Sequence, residues 1–174
     1  MFYESDIQLA IDTYNYGKTP CLAKGIEAQF YHVCRNVGFK LYHSRWSRDK
    51  NHALLKAGND VSDIFCVKVG PMFKCKDKYN NTKYGFLVES LDTTLFDYAC
   101  NKFGYTTNQY GYKVLVEEGY NYCDNIAYSL RNLADELGFE FDDNHAKNIA
   151  ANLDENGEPI CWFVIDLGEG EVSP

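Results

Sequence analysis

Two carboxylates and an amide near the end of the chain have the types and spacing for cation-assisted chemistry. The stretch Asp143-Asn144-His145-Ala146-Lys147-Asn148 offers a carboxylate and, five residues on, an amide. A second carboxylate follows in Val164-Ile165-Asp166-Leu167-Gly168. Between them lie two strand-like stretches, 149–153 and 160–165, around Asp154-Glu155-Asn156-Gly157, a strong hairpin signal. Closing that hairpin brings Asn148 and Asp166 to one point. Side-chain oxygens of Asp and Asn are hard donors, suited to Mg²⁺ shared with phosphates. Asp143 would lie beside them, placed to orient or deprotonate a hydroxyl. Phosphoryl transfer asks for little beyond positioning, cations and charge stabilisation. A further cation, Lys40, sits in the strand-like Phe39-Lys40-Leu41-Tyr42.

The elements that must carry these groups follow from periodicity. A short helix is expected around Ile7–Tyr14. Phe30, His32 and Cys34 alternate with Tyr31, Val33 and Arg35, Asn36-Val37-Gly38 makes a turn, and 39–42 is the next strand. Residues 46–58 are expected to be helical, with Trp46, Ala53, Leu54 and Ala57 on one face and Gly58-Asn59 closing it. Two strands are expected near 63–69 and 84–89, with Lys74–Asn81 as a polar turn between them. A helix over Leu91–Phe103 has Thr93 or Thr94 as its cap. Residues 104–119, rich in Tyr, Asn and Gly, fit no regular pattern. The strongest helix has Ile126, Leu130, Leu133 and Leu137 at spacings of four, three and four, ending at Gly138. Strands, helix, strands, helices and a terminal hairpin make an α+β pattern rather than βαβ.

Each chemical residue also has a plain reading. Asp143, Asn148 and Asp166 are turn formers and could serve only as such. Lys40, between Phe39 and Leu41, could be a solvent-facing strand lysine. His145 reads as a brace for its loop rather than a proton carrier.

Taken in order, the pieces resemble the protein-kinase-like superfamily. Asp143-x-His145-x-x-Asn148 looks like the D-x-H-x-x-N catalytic loop of bacterial, phage and aminoglycoside-phosphotransferase-type kinases, relatives of the H-R-D-x-x-x-x-N enzymes. Ile165-Asp166-Leu167-Gly168 looks like the D-F-G motif with Leu for Phe. Residues 22–33, with Gly25, resemble a degenerate phosphate-covering loop between two strands. Gly38-Phe39-Lys40-Leu41-Tyr42 resembles the V-A-I-K strand, and Tyr84–Leu91 the strand and hinge that hold adenine. The resemblance covers roughly residues 21–170.

It implies a small antiparallel β lobe with one helix over residues 1–90, and a reduced helical lobe over 91–174 carrying the catalytic hairpin. It further implies ATP and Mg²⁺ as cofactors. Lys40 and Gly25 would meet the phosphates, Glu89 and Leu91 would bind adenine through backbone groups, and Asn148 and Asp166 would hold the metal. Asp143, with Lys40, would be catalytic. The expected function is transfer of the γ-phosphoryl group of ATP to a hydroxyl of a protein. The alternative is an inactive, pseudokinase-like interaction protein, phage-encoded, that binds and modulates a partner; a small-molecule phosphotransferase is a third reading.

The chain departs from the family in four places. Only Gly25 stands where G-x-G-x-x-G is usual. The 46–58 helix has no Glu to pair with Lys40, for which Asp49 or Asp60 could substitute. Asn148 and Asp166 are 18 residues apart, a long interval for the family. Few residues follow Gly168, which leaves no room for an activation loop or the later helices that grip a peptide.

Composition narrows the rest. The 174 residues carry a formal charge of −8, which argues against nucleic acid as a partner. A nucleotide and a protein substrate or partner are expected; the oligomeric state is left open. Apolar residues make up 45%, enough for a core, but no apolar run approaches the roughly 20 residues of a membrane span. No basic, then apolar, leader opens the chain, so a cytoplasmic site is expected, the host cytoplasm if the source is viral. The seven cysteines are odd in number and form no CxxC, which points to reduced thiols rather than zinc.

Overall fold

The computed structural model describes residues 2–16, 21–24, 28–34, 36–141 and 143–167, and these form an α+β fold. The chain divides into two compact units, one of residues 1–56 and 67–90, the other of residues 57–66 and 91–174. The sequence reading had placed 57–66 with the first.

In the first unit, α1 (Glu4–Tyr16) is followed by β1 (Ala23–Lys24), β2 (Ala28–Cys34), β3 (Val37–Tyr42), α2 (Arg45–Val61, of which 57–61 belong to the second unit), β4 (Val69–Lys76) and β5 (Thr82–Glu89). Helix α1 starts where the Asp6 carboxylate accepts from the Tyr3 amide at 2.7 Å. Its apolar positions Ile7, Ala10, Ile11 and Tyr14 fall on one face. That face packs on Tyr31, Phe39, Leu41, Phe73, Cys75 and Leu87 of the sheet. The strands are antiparallel in the order β1-β2-β3-β5-β4. Strand period two sends Lys40, Tyr42 and Phe86 to the opposite face. There Phe86 stacks on Tyr42 with ring centroids 5.8 Å apart, and His52 of α2 meets it edge-on at 5.2 Å.

Helix α2 buries Ser47, Arg48, Asn51, Leu54 and Leu55, a stripe at helical spacing whose first half is polar. The apolar count alone suggested a different face: Trp46 is 68% exposed. Arg48 donates to the Phe73 carbonyl at 3.3 Å, bonds Asp49 and lies 5.6 Å from the Tyr84 ring centre. It therefore satisfies a buried carbonyl that no apolar residue could.

The expected strand at 63–69 is not one. Phe65, Cys66 and Val67 are buried in an irregular segment, and the strand runs over Val69–Lys76, taking in the first three residues of the expected polar turn at 74–81. Strand β4 is a sheet edge. Phe73 and Cys75 point inward while Met72, Lys74 and Lys76 face solvent. Alternating lysines protect an edge from pairing further, and Pro71 sits at a bulge, the place an edge strand tolerates it.

The second unit contains β6 (Thr93–Thr94), α3 (Leu95–Phe103), β7 (Tyr105–Thr107), β8 (Lys113–Leu115), α4 (Glu117–Glu136), a 3-10 turn (Ala146–Asn148), β9 (Ile149–Leu153) and β10 (Pro159–Val164). Thr94 is the α3 cap, accepting from the Asp97 amide at 3.1 Å. The unassigned stretch 104–119 is the β7–β8 hairpin, its turn organised by Asn108, whose Oδ1 accepts from the Tyr110 and Tyr112 amides. Helix α4 buries Gly119, Cys123, Ala127, Leu130 and Ala134. The stripe follows small residues that admit close approach of α3, and Ile126 and Leu133 lie on its half-buried flank. Gly138, at φ 77°, turns the chain out of α4 in the left-handed region glycine favours.

Strands β10, β9 and β6 form a second antiparallel sheet. In the β9–β10 turn, the Asp154 carboxylate accepts from the Asn156 and Glu158 amides at 2.8 and 2.9 Å, and Gly157 takes φ 78°. The turn is fastened to α3. Lys102 donates to both Glu158 oxygens at 2.8 and 3.0 Å and to the Tyr98 hydroxyl at 2.7 Å. The Tyr98 ring meets Trp162 edge-on at 5.6 Å. Residues 56 to 60 positions apart make this clasp, so no sequence spacing announced it.

Candidate functional site

Past Gly138, Phe139 and Phe141 are buried and anchor the chain, which then presents Asp143 to solvent. The Asn148 Nδ2 donates to the Asp143 Oδ2 at 2.7 Å and to its carbonyl at 3.0 Å. His145 Nε2 lies 3.2 Å from the other carboxylate oxygen. The His145 Nδ1 accepts from the Lys147 amide at 3.2 Å, so the neutral ring carries its proton on Nε2, the nitrogen that faces Asp143. His145 thus braces the loop. Both Asp143 oxygens have neighbours that orient them, and each retains a lone pair able to accept a further hydrogen bond.

The 3-10 turn is closed by the Asn148 amide donating to the His145 carbonyl at 2.9 Å. The hairpin register then pairs Ile149 with Val164. One step further out, the Ile165 amide donates to the Asn148 carbonyl at 2.9 Å, which makes Asp166 the next residue along from a direct bond to Asn148. Buried Val164 and Leu167 hold Asp166 from either side. Hairpin closure thus brings the backbone at Ile165 against Asn148.

Because Asp143 accepts from the Asn148 NH₂, the amide orientation is set and its Oδ1 is the atom left to face a cation. An amide oxygen and a carboxylate, the donors that Asn148 and Asp166 carry, are of the type suited to Mg²⁺. They do not make a protein cage, and among the described residues no group of three or more His, Cys, Asp or Glu is placed to hold a metal.

Lys40, on the central strand β3 between Phe30 and Phe86, is 7% exposed and so is not a solvent-facing strand lysine. Asp49, one candidate to replace the missing helix glutamate, is engaged by Arg48 and Arg45. The hydrogen bond from Arg48 keeps its carboxyl below the ordinary range. Asp60 is exposed at the end of α2. Glu89 ends β5, and its amide is already bonded to the Lys68 carbonyl at 2.9 Å. Leu91 is half-buried. Gly25 and Gly168 lie outside the described residues.

The thiols offer no nucleophile in the cores. Burial pushes Cys66 up to about 12 and Cys75 and Cys123 up to about 11, so all three are neutral.

One feature beside the loop had no signal in the sequence. A depression of about 290 Å³, open to solvent, is lined by Phe96, His145, Ala146 and Lys147. Phe96 reaches it from the first turn of α3, and only the packing of that helix on the loop brings it there.

No protein-family model matches this chain, and no curated protein matches it.

Proposed function

We propose that this chain is a kinase-like phosphotransferase that moves the γ-phosphoryl group of ATP, with Mg²⁺, to a hydroxyl of a protein. The observation that carries the reading is the closure at Asn148, whose side chain bonds Asp143 and whose carbonyl bonds Ile165, next to Asp166. A five-stranded antiparallel sheet with α2 between β3 and β4, and a buried lysine on β3, supports a kinase-like small lobe.

In this reading Lys40 meets the ATP phosphates and the backbone near Leu91 meets adenine. Asn148 Oδ1 and the Asp166 carboxylate hold the metal. When bound, the cation neutralises charge on the β- and γ-phosphates. Asp143 accepts the hydroxyl proton as the acceptor oxygen forms its bond to the γ-phosphorus. The bond from that phosphorus to the β,γ-bridging oxygen breaks, and ADP leaves with the electron pair.

A second reading, a pseudokinase-like interaction protein, draws on one observation. Tyr105, Tyr110 and Tyr112 of the β7–β8 hairpin and Tyr120 and Tyr128 of α4 are all exposed. Tyrosine is enriched at partner surfaces.

Calorimetric titration of ATP with and without Mg²⁺, on the wild type and Asp166→Asn, decides between them. Binding that needs Mg²⁺ and fails in the variant is expected. No binding at millimolar nucleotide would move the function to the partner surface. Asp143→Ala should bind ATP but transfer nothing, and measurable transfer by it would refute its role.

A further inference from the structure

We propose that the depression lined by Phe96, His145, Ala146 and Lys147 receives the acceptor, a peptide segment whose hydroxyl residue is flanked by an acidic residue paired with Lys147. The inference rests on the phosphotransferase reading and adds the substrate class to it.

Position comes first. Three of the four lining residues belong to the loop that presents Asp143, and one of them, His145, touches the Asp143 carboxylate. A hydroxyl reaching Asp143 therefore brings its neighbouring atoms into this depression.

Shape comes second. Small-molecule sites enclose most of their ligand. This one is open to solvent, which suits a chain segment lying across it.

Chemistry comes third. The Lys147 ammonium sits 5.0 Å from the centre of the Phe96 ring. A cation held against a ring loses less freedom when it pairs with a partner. The Phe96 ring covers one side of that cation, which strengthens its attraction for a carboxylate. The α3 N-terminus, where Phe96 sits, adds positive potential of its own. Asp97, the acid next to Phe96, is tied back by the Thr94 hydroxyl at 2.7 Å.

The transfer step is the one given above, with the peptide hydroxyl as acceptor, its proton passing to Asp143 and ADP leaving. Lys147 positions and selects the substrate and takes no part in bond making.

The test measures phosphoryl transfer from Mg²⁺·ATP to three serine peptides that differ only in the residue after serine: Asp, Ala or Lys. Wild type and Lys147→Glu are compared, with Phe96→Ala as a second variant. The wild type should prefer the Asp peptide over the Lys peptide by roughly tenfold in kcat/KM, the scale of one exposed pair turned from attraction to repulsion. Lys147→Glu should invert the order, with the change in KM. Phe96→Ala should flatten it. Transfer with the same preference in wild type and Lys147→Glu would overturn the acceptor assignment and leave the phosphotransferase standing. So would transfer to no peptide while Mg²⁺-dependent ATP binding persists. Loss of that nucleotide binding in the wild type would instead overturn the parent reading, and the acceptor assignment with it.

Discussion

Gly58 offers a test of how the segment before Asp166 is held. It lies in α2, where glycine ordinarily costs about 1 kcal/mol relative to alanine. Propensity alone therefore makes Gly58→Ala stabilising. The structure reverses the sign. A Cβ at Gly58 would stand 2.5 Å from the Cys66 Sγ, 3.2 Å from Phe65 Cδ1 and 3.3 Å from the Cys66 Cβ. Phe65 and Cys66 are fully buried, so neither has solvent to move into. Overpacking of this kind costs about 1–3 kcal/mol. At the upper end it outweighs the helix gain, leaving Gly58→Ala less stable by about 1–2 kcal/mol. Cys66→Ala alone opens a small cavity and costs about 1 kcal/mol. In the double variant the new methyl occupies the space the sulfur leaves, so the clash disappears. The double should be more stable than the sum of the singles predicts by about 2 kcal/mol.

The effect should reach the site. Cys66 bridges to Val164, and the Val164 amide donates to the Phe65 carbonyl at 2.8 Å, two residues before Asp166. Gly58→Ala should therefore weaken Mg²⁺-dependent ATP binding, and the double variant should restore it. Urea denaturation of the four proteins measures the cycle. Additive single changes, or a Gly58→Ala protein more stable than wild type, would refute the close-approach reasoning.

Further outcomes follow from the same contacts. The amide of Glu158 bonding Asp154, and the ammonium of Lys102 bonding Glu158, hold both carboxyls below their ordinary values of 3.8 and 4.5. Depressed carboxyl pKa values contribute stability that is complete above the ordinary values and lost as pH falls through the lower folded ones. Melting temperature should therefore drop on acidification below those values, and less steeply in an Asp154→Asn, Glu158→Gln double variant; an equal acid slope would contradict the clasp. Arg48→Met keeps the aliphatic stem but abandons the Phe73 carbonyl, and chemical denaturation should show a loss of about 1–3 kcal/mol. Asn148→Leu removes the donor to Asp143, and should cost about 1 kcal/mol in denaturation while abolishing the Mg²⁺ dependence of ATP binding in calorimetry.

The site loop and its hairpin were legible because their signals are local. Asp154 to Gly157 specify a turn by their own side chains and backbone freedom, and strand alternation then carries Asn148 to Ile165. Helix α1 and the run ending at Gly138 were legible for the same reason. The face of α4 was not, since a count of large apolar residues passes over Gly119, Ala127 and Ala134, which are buried because a neighbouring helix approaches closely. Strand β4 was misread because its lysines look like a turn until the strand is known to be an edge. In α2 the polar residues Ser47, Arg48 and Asn51 are buried and Trp46 is not; for Arg48 the cause is the Phe73 carbonyl on the sheet, which accepts its hydrogen bond.

By itself, then, the sequence determined the elements whose causes lie within a few residues: caps, turns, periodic helices, and the hairpin that joins Asn148 to Ile165. Tertiary structure alone decided that β5 lies between β3 and β4, that Lys40 is buried, that 57–66 packs with the second unit, and that Phe96 stands beside Lys147. The reason is physical. Turn and helix propensities act through neighbouring backbone groups, whereas strand order and burial depend on which apolar faces, distant in the chain, leave water together.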